Sequence, residues 1–211
     1  LFRSRNMLRF IASIYDPLGF IAPWINPGKL LLQDAVKLKL DWDVTVPANL
    51  CTQWETWIES LSELKKVRIP RCLKPSPFDD AYIACHIFSD ANQRIYGSMA
   101  ILKLVNASGQ VLTHLVMSKS HLAPLNKEYT IPRLELMAGR VSVDIFLLLR
   151  REMQFSAVPF FFWTDSSILL AYIASETRRF NVFVENHVNY IRQHTEVSSW
   201  NYVSSRENPA D

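Results

Sequence analysis

The sequence predicts a mixed α/β fold, in which a five-stranded sheet flanked by helices follows a smaller, mainly helical segment. Three observations carry this expectation. Short apolar runs rich in β-formers, such as 158–163 (VPFFFW), have the character of strands covered on both faces. The passage IPRLELMAGRVSVDIFLLL repeats Leu134, Met137, Val141, Ile145 and Leu148 at helical spacing, with Pro132 in the first turn, where proline is tolerated. Pro70, Pro75 and Pro77 fall together in IPRCLKPSPFDD, a density that resists the interior of helix and sheet alike and marks a linker.

The linker divides the chain into a first domain, 1–75, and a second, 76–211. In the first, 27–40 and 50–66 read as helices with one apolar and aromatic stripe, and Trp42, Trp54 and Trp57 as packing anchors. In the second, a strand runs to Asp90, followed by a strand at 95–105, a turn at 106–109, a strand at 110–118 and the helix holding Glu135. A strand ending at Trp163, helices at 166–175 and 183–196, and a strand at 200–203 complete the order. Three sequential strands, a helix, then two more strands with helices between them describe a mixed sheet. From Glu135, the small residues Ala138, Gly139 and Ser142 continue along one side of the helix and would let its backbone press close to the sheet.

Composition narrows the class. With 211 residues and 49% apolar content the chain can bury a sizeable core. A net charge of +3 is compatible with a polyanionic partner but too weak to argue for one. Cys51, Cys72 and Cys85 form no CxxC pair and no metal-ligand spacing, which suggests reduced thiols in an intracellular setting. No apolar stretch approaches the roughly 18 residues of a membrane span, so no membrane partner is expected. The chain starts with Leu1 and reads as part of something longer.

Four carboxylates stand out because each interrupts or ends an apolar segment, where an unpaired buried charge costs heavily. Asp90 ends YIACHIFSDA, and Asp165 ends VPFFFWTDSS. Glu135 lies one turn into its helix on the inward side. Asp211 closes SSRENPAD, where Asn208 is placed as an N-cap and Pro209 as a first helical residue, opening a final helix that this segment cuts off. Strand, helix, strand and helix start would bring these four together. Hydrolysis of a phosphodiester needs an activated water and a stabilised departing oxyanion, and two Mg ions about 3.5 to 4 Å apart can supply both. Mg prefers hard oxygen ligands, so carboxylates suffice without His or Cys.

HIFSDA, PRLELMAG, FFWTDSS and RENPAD match, in order, the four motifs of the ribonuclease H family, a resemblance covering 82–211. RFIASIYDPLGFIAP and the tryptophan-rich stretch after it resemble the segment linking reverse transcriptase to ribonuclease H in LTR retrotransposons. SKSHLAPLNKEYTIPRLEL and the NPAD end are most similar to the BEL/Pao group. The resemblance implies a piece of a retrotransposon Pol polyprotein with a ribonuclease H-like sheet, acting inside the cell in a cytoplasmic virus-like particle. It implies a metal-dependent endoribonuclease that cuts the RNA strand of RNA/DNA hybrids beside an adjoining reverse transcriptase domain. Asp90 would bridge two Mg²⁺ ions (Mn²⁺ possible), with Glu135 and Asp165 on the leaving-group side and Asp211 at the nucleophile side. The first domain would then be a thumb or connection element, with Arg3, Arg5, Arg9, Lys29 and Lys37 as candidate phosphate contacts. Activity is expected to be weak in the isolated segment, since the last helix is cut short.

One departure concerns a histidine that many relatives carry between the last strand and the last Asp. The segment 203–211 has none, and Arg206 and Glu207 could occupy that loop without replacing a histidine; His187 and His194 belong to an earlier helix as ordinary surface or packing residues. Rival readings are an aspartic peptidase, a heading attached to Pao segments of this kind, and a non-catalytic nucleic-acid-binding or structural part of the polyprotein. The peptidase lacks support, because FDDA, SDAN, TDSS and NPAD all miss the glycine of an Asp-Thr-Gly or Asp-Ser-Gly loop. An integrase-like order would place the glutamate last, whereas Glu135 precedes Asp165.

Overall fold

The computed structural model describes residues 2–153 and 157–211, which cluster into two units. One comprises Leu1–Pro70 with Pro124–Glu128, the other Arg71–Ala123 with Tyr129–Asp211.

The first unit is mainly helical. Helices α1 (Ser4–Ser13), α2 (Ala22–Lys37) and α3 (Ala48–Ser60) are followed by a 3₁₀ turn at Leu61–Lys66. Sequence periodicity did not foresee α1, whose buried Met7 and Ile11 now join Ile25, Leu50, Trp54 and Trp57 in one core. Helix α2 starts at Ala22 and not at Pro27. Asp16 accounts for the difference: its carboxylate accepts the N–H groups of Phe20 and Ile21, both at 3.0 Å, and closes the turn that feeds the helix. Pro23 takes the first-turn position, leaving Pro27 inside the helix. Trp57 Nε1 donates to Trp24 O at 2.6 Å, and its ring lies against the α-carbon of Gly28. Trp42, expected as an anchor, is 45% exposed. Arg5 and Lys37, candidate phosphate contacts, each have a surface ion pair, with Asp43 at 2.9 Å and Asp34 at 3.4 Å.

The second unit carries one five-stranded sheet in the order β3-β2-β1-β4-β5. Its strands are β1 (Tyr82–Ala91), β2 (Ile95–Val105), β3 (Val111–Leu122), β4 (Phe160–Thr164) and β5 (Trp200–Tyr202), with helices α4 (Ile131–Glu152), α5 (Ser167–Ala174) and α6 (Val182–His194). β1, β2 and β3 pair antiparallel, whereas β1–β4 and β4–β5 pair parallel. This is the mixed sheet expected, with β3 reaching four residues beyond 118 before it ends at Leu122. At 106–109 the Asn106 Oδ1 accepts from the Ser108 and Gln110 N–H groups, and Gly109 supplies the positive φ of 81°.

Helix α4 is the long crossover, and its apolar face buries Leu136, Val141, Ile145 and Leu149 in the same core as Ile87, Leu102, Phe162 and Trp200. The small residues on α4 divide. Ser142 Oγ meets Ser98 Oγ of β2 at 2.8 Å, and Ser98 donates to Phe88 O at 2.7 Å, so the Ser142 hydroxyl supplies the hydrogen between the two serines. Gly139, expected against the sheet, is turned to α5 and α6, where a Cβ would lie 3.0 Å from Leu169 and 3.6 Å from Ile191. Among the described residues no helix is long and apolar enough to cross a membrane, and the three cysteines are free, with burial pushing the Cys85 thiol up to about 12.

A Cβ on Gly28 would fall 2.3 Å from Cζ2 of Trp57, whose ring is held by its bond to Trp24. Gly28→Ala should therefore destabilise the first unit by about 1–3 kcal/mol, the usual cost of overpacking, read from denaturant unfolding followed by tryptophan fluorescence. An unchanged midpoint would show that the Trp57 ring is free to move.

Candidate active site

Asp90 is the last residue but one of β1 and lies opposite Gly97 of β2. On its other side β1 pairs with β4 in a parallel register that sets Ser89 against Thr164. Because parallel strands run in one direction, the next residues, Asp90 still within β1 and Asp165 just past β4, come at the same end of the sheet.

Glu135 comes to the same end from α4. Its Oε2 accepts the Ser166 hydroxyl at 2.5 Å. Ser166 directly follows Asp165 and caps α5, its Oγ accepting the Leu169 N–H at 3.1 Å. Asp165 is held from the other side, since its Oδ2 accepts from Ser205 Oγ at 2.6 Å.

Asp211 is delivered by Asn208. That side chain is 5% exposed, its Nδ2 donates to Ser89 O at 3.1 Å, and its Oδ1 accepts the Ala210 N–H at 3.2 Å. The Asp211 N–H then donates to Asn208 O at 3.2 Å. The cap-like bond to Ala210 is what the sequence suggested for Asn208; the anchoring bond to β1, beside Asp90, is not visible in local spacing. A 3₁₀ turn at Ser205–Glu207 precedes it. In this loop Ser205 reaches Asp165, while the Glu207 carboxylate is turned back to accept the Ser204 hydroxyl at 2.8 Å. His187 and His194 set their Nδ1 atoms 2.8 Å from Phe183 O and Tyr190 O within α6.

The four carboxylates act on one another. The Asp90 carboxyl is pushed up to about 6, first by burial, then by the charge of Asp165, with smaller contributions from Asp211 and Glu135 and a counteracting hydrogen bond from the Ala91 N–H. Among the described residues no Lys or Arg is ion-paired with any of the four. Their partners are neutral donors: two serine hydroxyls and a backbone amide. Nor, among the described residues, are three or more His, Cys, Asp or Glu side chains close enough to hold one ion. Like charges with no counter-charge stand apart. Hard oxygen donors, uncompensated negative charge and the absence of thiol or imidazole from the set fit Mg²⁺ or Mn²⁺.

A family model described as the Pao retrotransposon-like RNaseH-like domain matches residues 3–166, most of the chain. This chain belongs to that family. The matched stretch holds Asp90, Glu135 and Asp165, and Asp211 lies beyond it. No curated protein matches the sequence. Among solved structures, this Pao-family chain is similar to RNase H1 from the archaeon Halobacterium salinarum, at 10% identity over 59% of this chain and 86% of that one, with a TM-score of 0.35. It is also similar to the N-terminal RNase H domain of a Mycobacterium tuberculosis protein, at 9% identity over 60% and 86%, TM-score 0.38. A foamy viral protease-reverse transcriptase in complex with dsDNA aligns with 98% of this chain but 39% of its own, at 11% identity and TM-score 0.33.

The raised Asp90 carboxyl has a signed consequence. Its folded value lies above its unfolded one, so its contribution to stability is fully present below about pH 4 and is lost as pH rises through about 6. Asp90→Asn should therefore stabilise the metal-free protein by a margin that grows from about pH 4 to about pH 6 and levels off above it, reaching about 1–2 kcal/mol after allowance for solvent screening and read from melting temperatures across that range. A margin independent of pH would show that Asp90 is not held in this field. Asn208→Ala, which orphans Ser89 O, should cost about 1–3 kcal/mol and speed proteolysis of the residues after Val203; protection equal to the wild type would mean that other contacts hold that segment.

Proposed function

We propose that this chain supplies a divalent-metal-dependent endoribonuclease that cuts the RNA strand of RNA/DNA hybrids during reverse transcription, next to a reverse transcriptase domain of the same Pol polyprotein. The observation that supports the reading is the β1–β4 register that sets Asp90 and Asp165 at one end of the sheet, with Glu135 bonded to Ser166 at 2.5 Å and no cation paired to any of the four among the described residues; the raised Asp90 carboxyl agrees with it. Uncompensated charge at the mouth of an otherwise apolar sheet is costly as structure and useful as a cation site.

Asp90, Glu135, Asp165 and Asp211 would hold two Mg²⁺ ions, Mn²⁺ serving in their place. When bound, such ions supply a water nucleophile at neutral pH and charge stabilisation for the departing oxygen, leaving 5′-phosphate and 3′-hydroxyl ends. The chain's own residues do the rest. Asp90 is the carboxyl that feels the charges of Asp165, Asp211 and Glu135 together. Ser166 and Ser205 restrain Glu135 and Asp165, and Asn208 keeps Asp211 beside β1. Choice of a hybrid would rest on contacts to the RNA 2′-hydroxyls across a shallow minor groove. The helical first unit would then serve as a thumb or connection element, with Arg3, Arg5, Arg9, Lys29 and Lys37 as its candidate phosphate contacts, Arg5 and Lys37 each from a surface ion pair with an aspartate. The setting proposed is a cytoplasmic virus-like particle.

Incubation with labelled RNA/DNA hybrid, RNA duplex, DNA duplex and a protein substrate, in Mg²⁺ or EDTA, tests this. The RNA strand of the hybrid alone should be cut, only with Mg²⁺, and Asp90→Asn should reduce the rate by at least about 100-fold. Because protons and metal compete for the same carboxylates, the apparent Mg²⁺ affinity should fall as pH drops through about 6. Cutting that survives EDTA, or proteolysis, would overturn the assignment.

A further inference from the structure

We infer that Ser166 is a positioning residue for cation binding, acting through Glu135; this rests on the reading that the four carboxylates hold divalent metal. Ser166 is 4% exposed and fixed by three hydrogen bonds. Its N–H donates to Thr164 Oγ1 at 3.1 Å, its Oγ accepts the Leu169 N–H at 3.1 Å, and its hydroxyl donates to Glu135 Oε2 at 2.5 Å. A hydroxyl has one hydrogen, and here the oxygen is already engaged with the first turn of α5, so the hydrogen's direction is set. The serine is therefore a post standing on the end of β4 and the start of α5, and the Glu135 carboxylate leans on it.

The consequence concerns ordering. A free glutamate loses side-chain entropy when it binds a ligand. One whose Oε2 is tethered has lost part of that freedom already, and its other oxygen is left for a cation. Partners that orient metal ligands in this way typically change affinity by about 10–100-fold. The same post joins two carboxylates that are distant in sequence, since Ser166 follows Asp165 in the chain and bonds to Glu135 31 residues earlier.

Capping α5 could be the serine's whole task, and substitution separates the two roles. Glycine at an N-cap is nearly as good as serine but has no hydroxyl, whereas threonine keeps both functions. The measurement is the Mn²⁺ dissociation constant of the nucleic-acid-free protein, from the spin-resonance signal of free Mn²⁺, with the melting temperature recorded beside it. Ser166→Gly should weaken Mn²⁺ binding about 10-fold with the melting temperature changed by no more than a few degrees, and Ser166→Thr should restore it. In a Glu135→Gln background, Ser166→Gly should add no further loss. If the glycine variant does not fold, Ser166→Ala read well below its melting temperature takes its place in the cycle. Wild-type affinity in Ser166→Gly, or an equal loss with Glu135 already neutralised, overturns the positioning role and leaves the carboxylate site standing. A wild type that binds no Mn²⁺, with no change on Asp90→Asn, overturns the metal reading and this inference with it.

Discussion

The parallel pairing of β1 with β4 is the constraint on which the carboxylate cluster depends. It places Ser89 against Thr164, so that the following residues, Asp90 and Asp165, emerge together. A one-residue slip would carry every side chain of one strand to the opposite face and part the two aspartates. Parallel strands cannot be joined by a tight turn and require a crossover, commonly a helix. Here the crossover contains α4, and Glu135 stands near its start, so the connection that permits the pairing also brings the third carboxylate. The height of α4 above the sheet is set where Ser142 meets Ser98, close enough for two hydroxyls to bond.

Stability and site pull against each other at this end of the sheet. A lysine or arginine beside Asp90 would relieve the repulsion, and it would also cancel the charge on which the proposed metal site rests. The structure uses neutral donors instead: hydroxyls of Ser166 and Ser205 and the amide of Ala91. These orient carboxylates without cancelling their charge. The compensating stability lies further along the sheet, in the stack of Phe162 on Trp200 at 4.7 Å and the edge contacts of Phe146 with Phe160 and Phe162 at 4.8 and 5.7 Å.

What could be read from the chain alone follows from how far apart the deciding residues are. β2 at Ile95–Val105 and its turn are local patterns and appear where alternation and turn chemistry put them, whereas the stripe expected on α4 holds at Leu134, Val141 and Ile145 but Leu136 and Leu149 are buried in place of Met137 and Leu148. Asp90 and Asp165 were legible because each breaks an apolar run. The start of α2 was not, since Pro23 and Pro27 are equally acceptable first-turn prolines and the choice falls to the Asp16 carboxylate. Nor could composition tell the exposed Trp42 from the buried Trp54 and Trp57. The bonds that hold the carboxylates span 31 residues from Glu135 to Ser166, 40 from Asp165 to Ser205 and 119 from Ser89 to Asn208, beyond the reach of any local pattern.

The loop before Asp211 alters the chemistry available at the site. It has no imidazole, and the Ser205 hydroxyl is already given to Asp165. The group that the cluster itself brings toward neutrality is Asp90, and it is brought there by burial and by the carboxylates with which it would share a metal. Proton and cation therefore answer to one field: whatever draws Asp165, Glu135 and Asp211 closer favours the proton on Asp90 when no cation is present and favours the cation when one is. The hydrogen bonds from Ser166 and Ser205 and the anchor at Asn208 set where these carboxylates stand, so the proposed competition between proton and cation is a property of the fold itself.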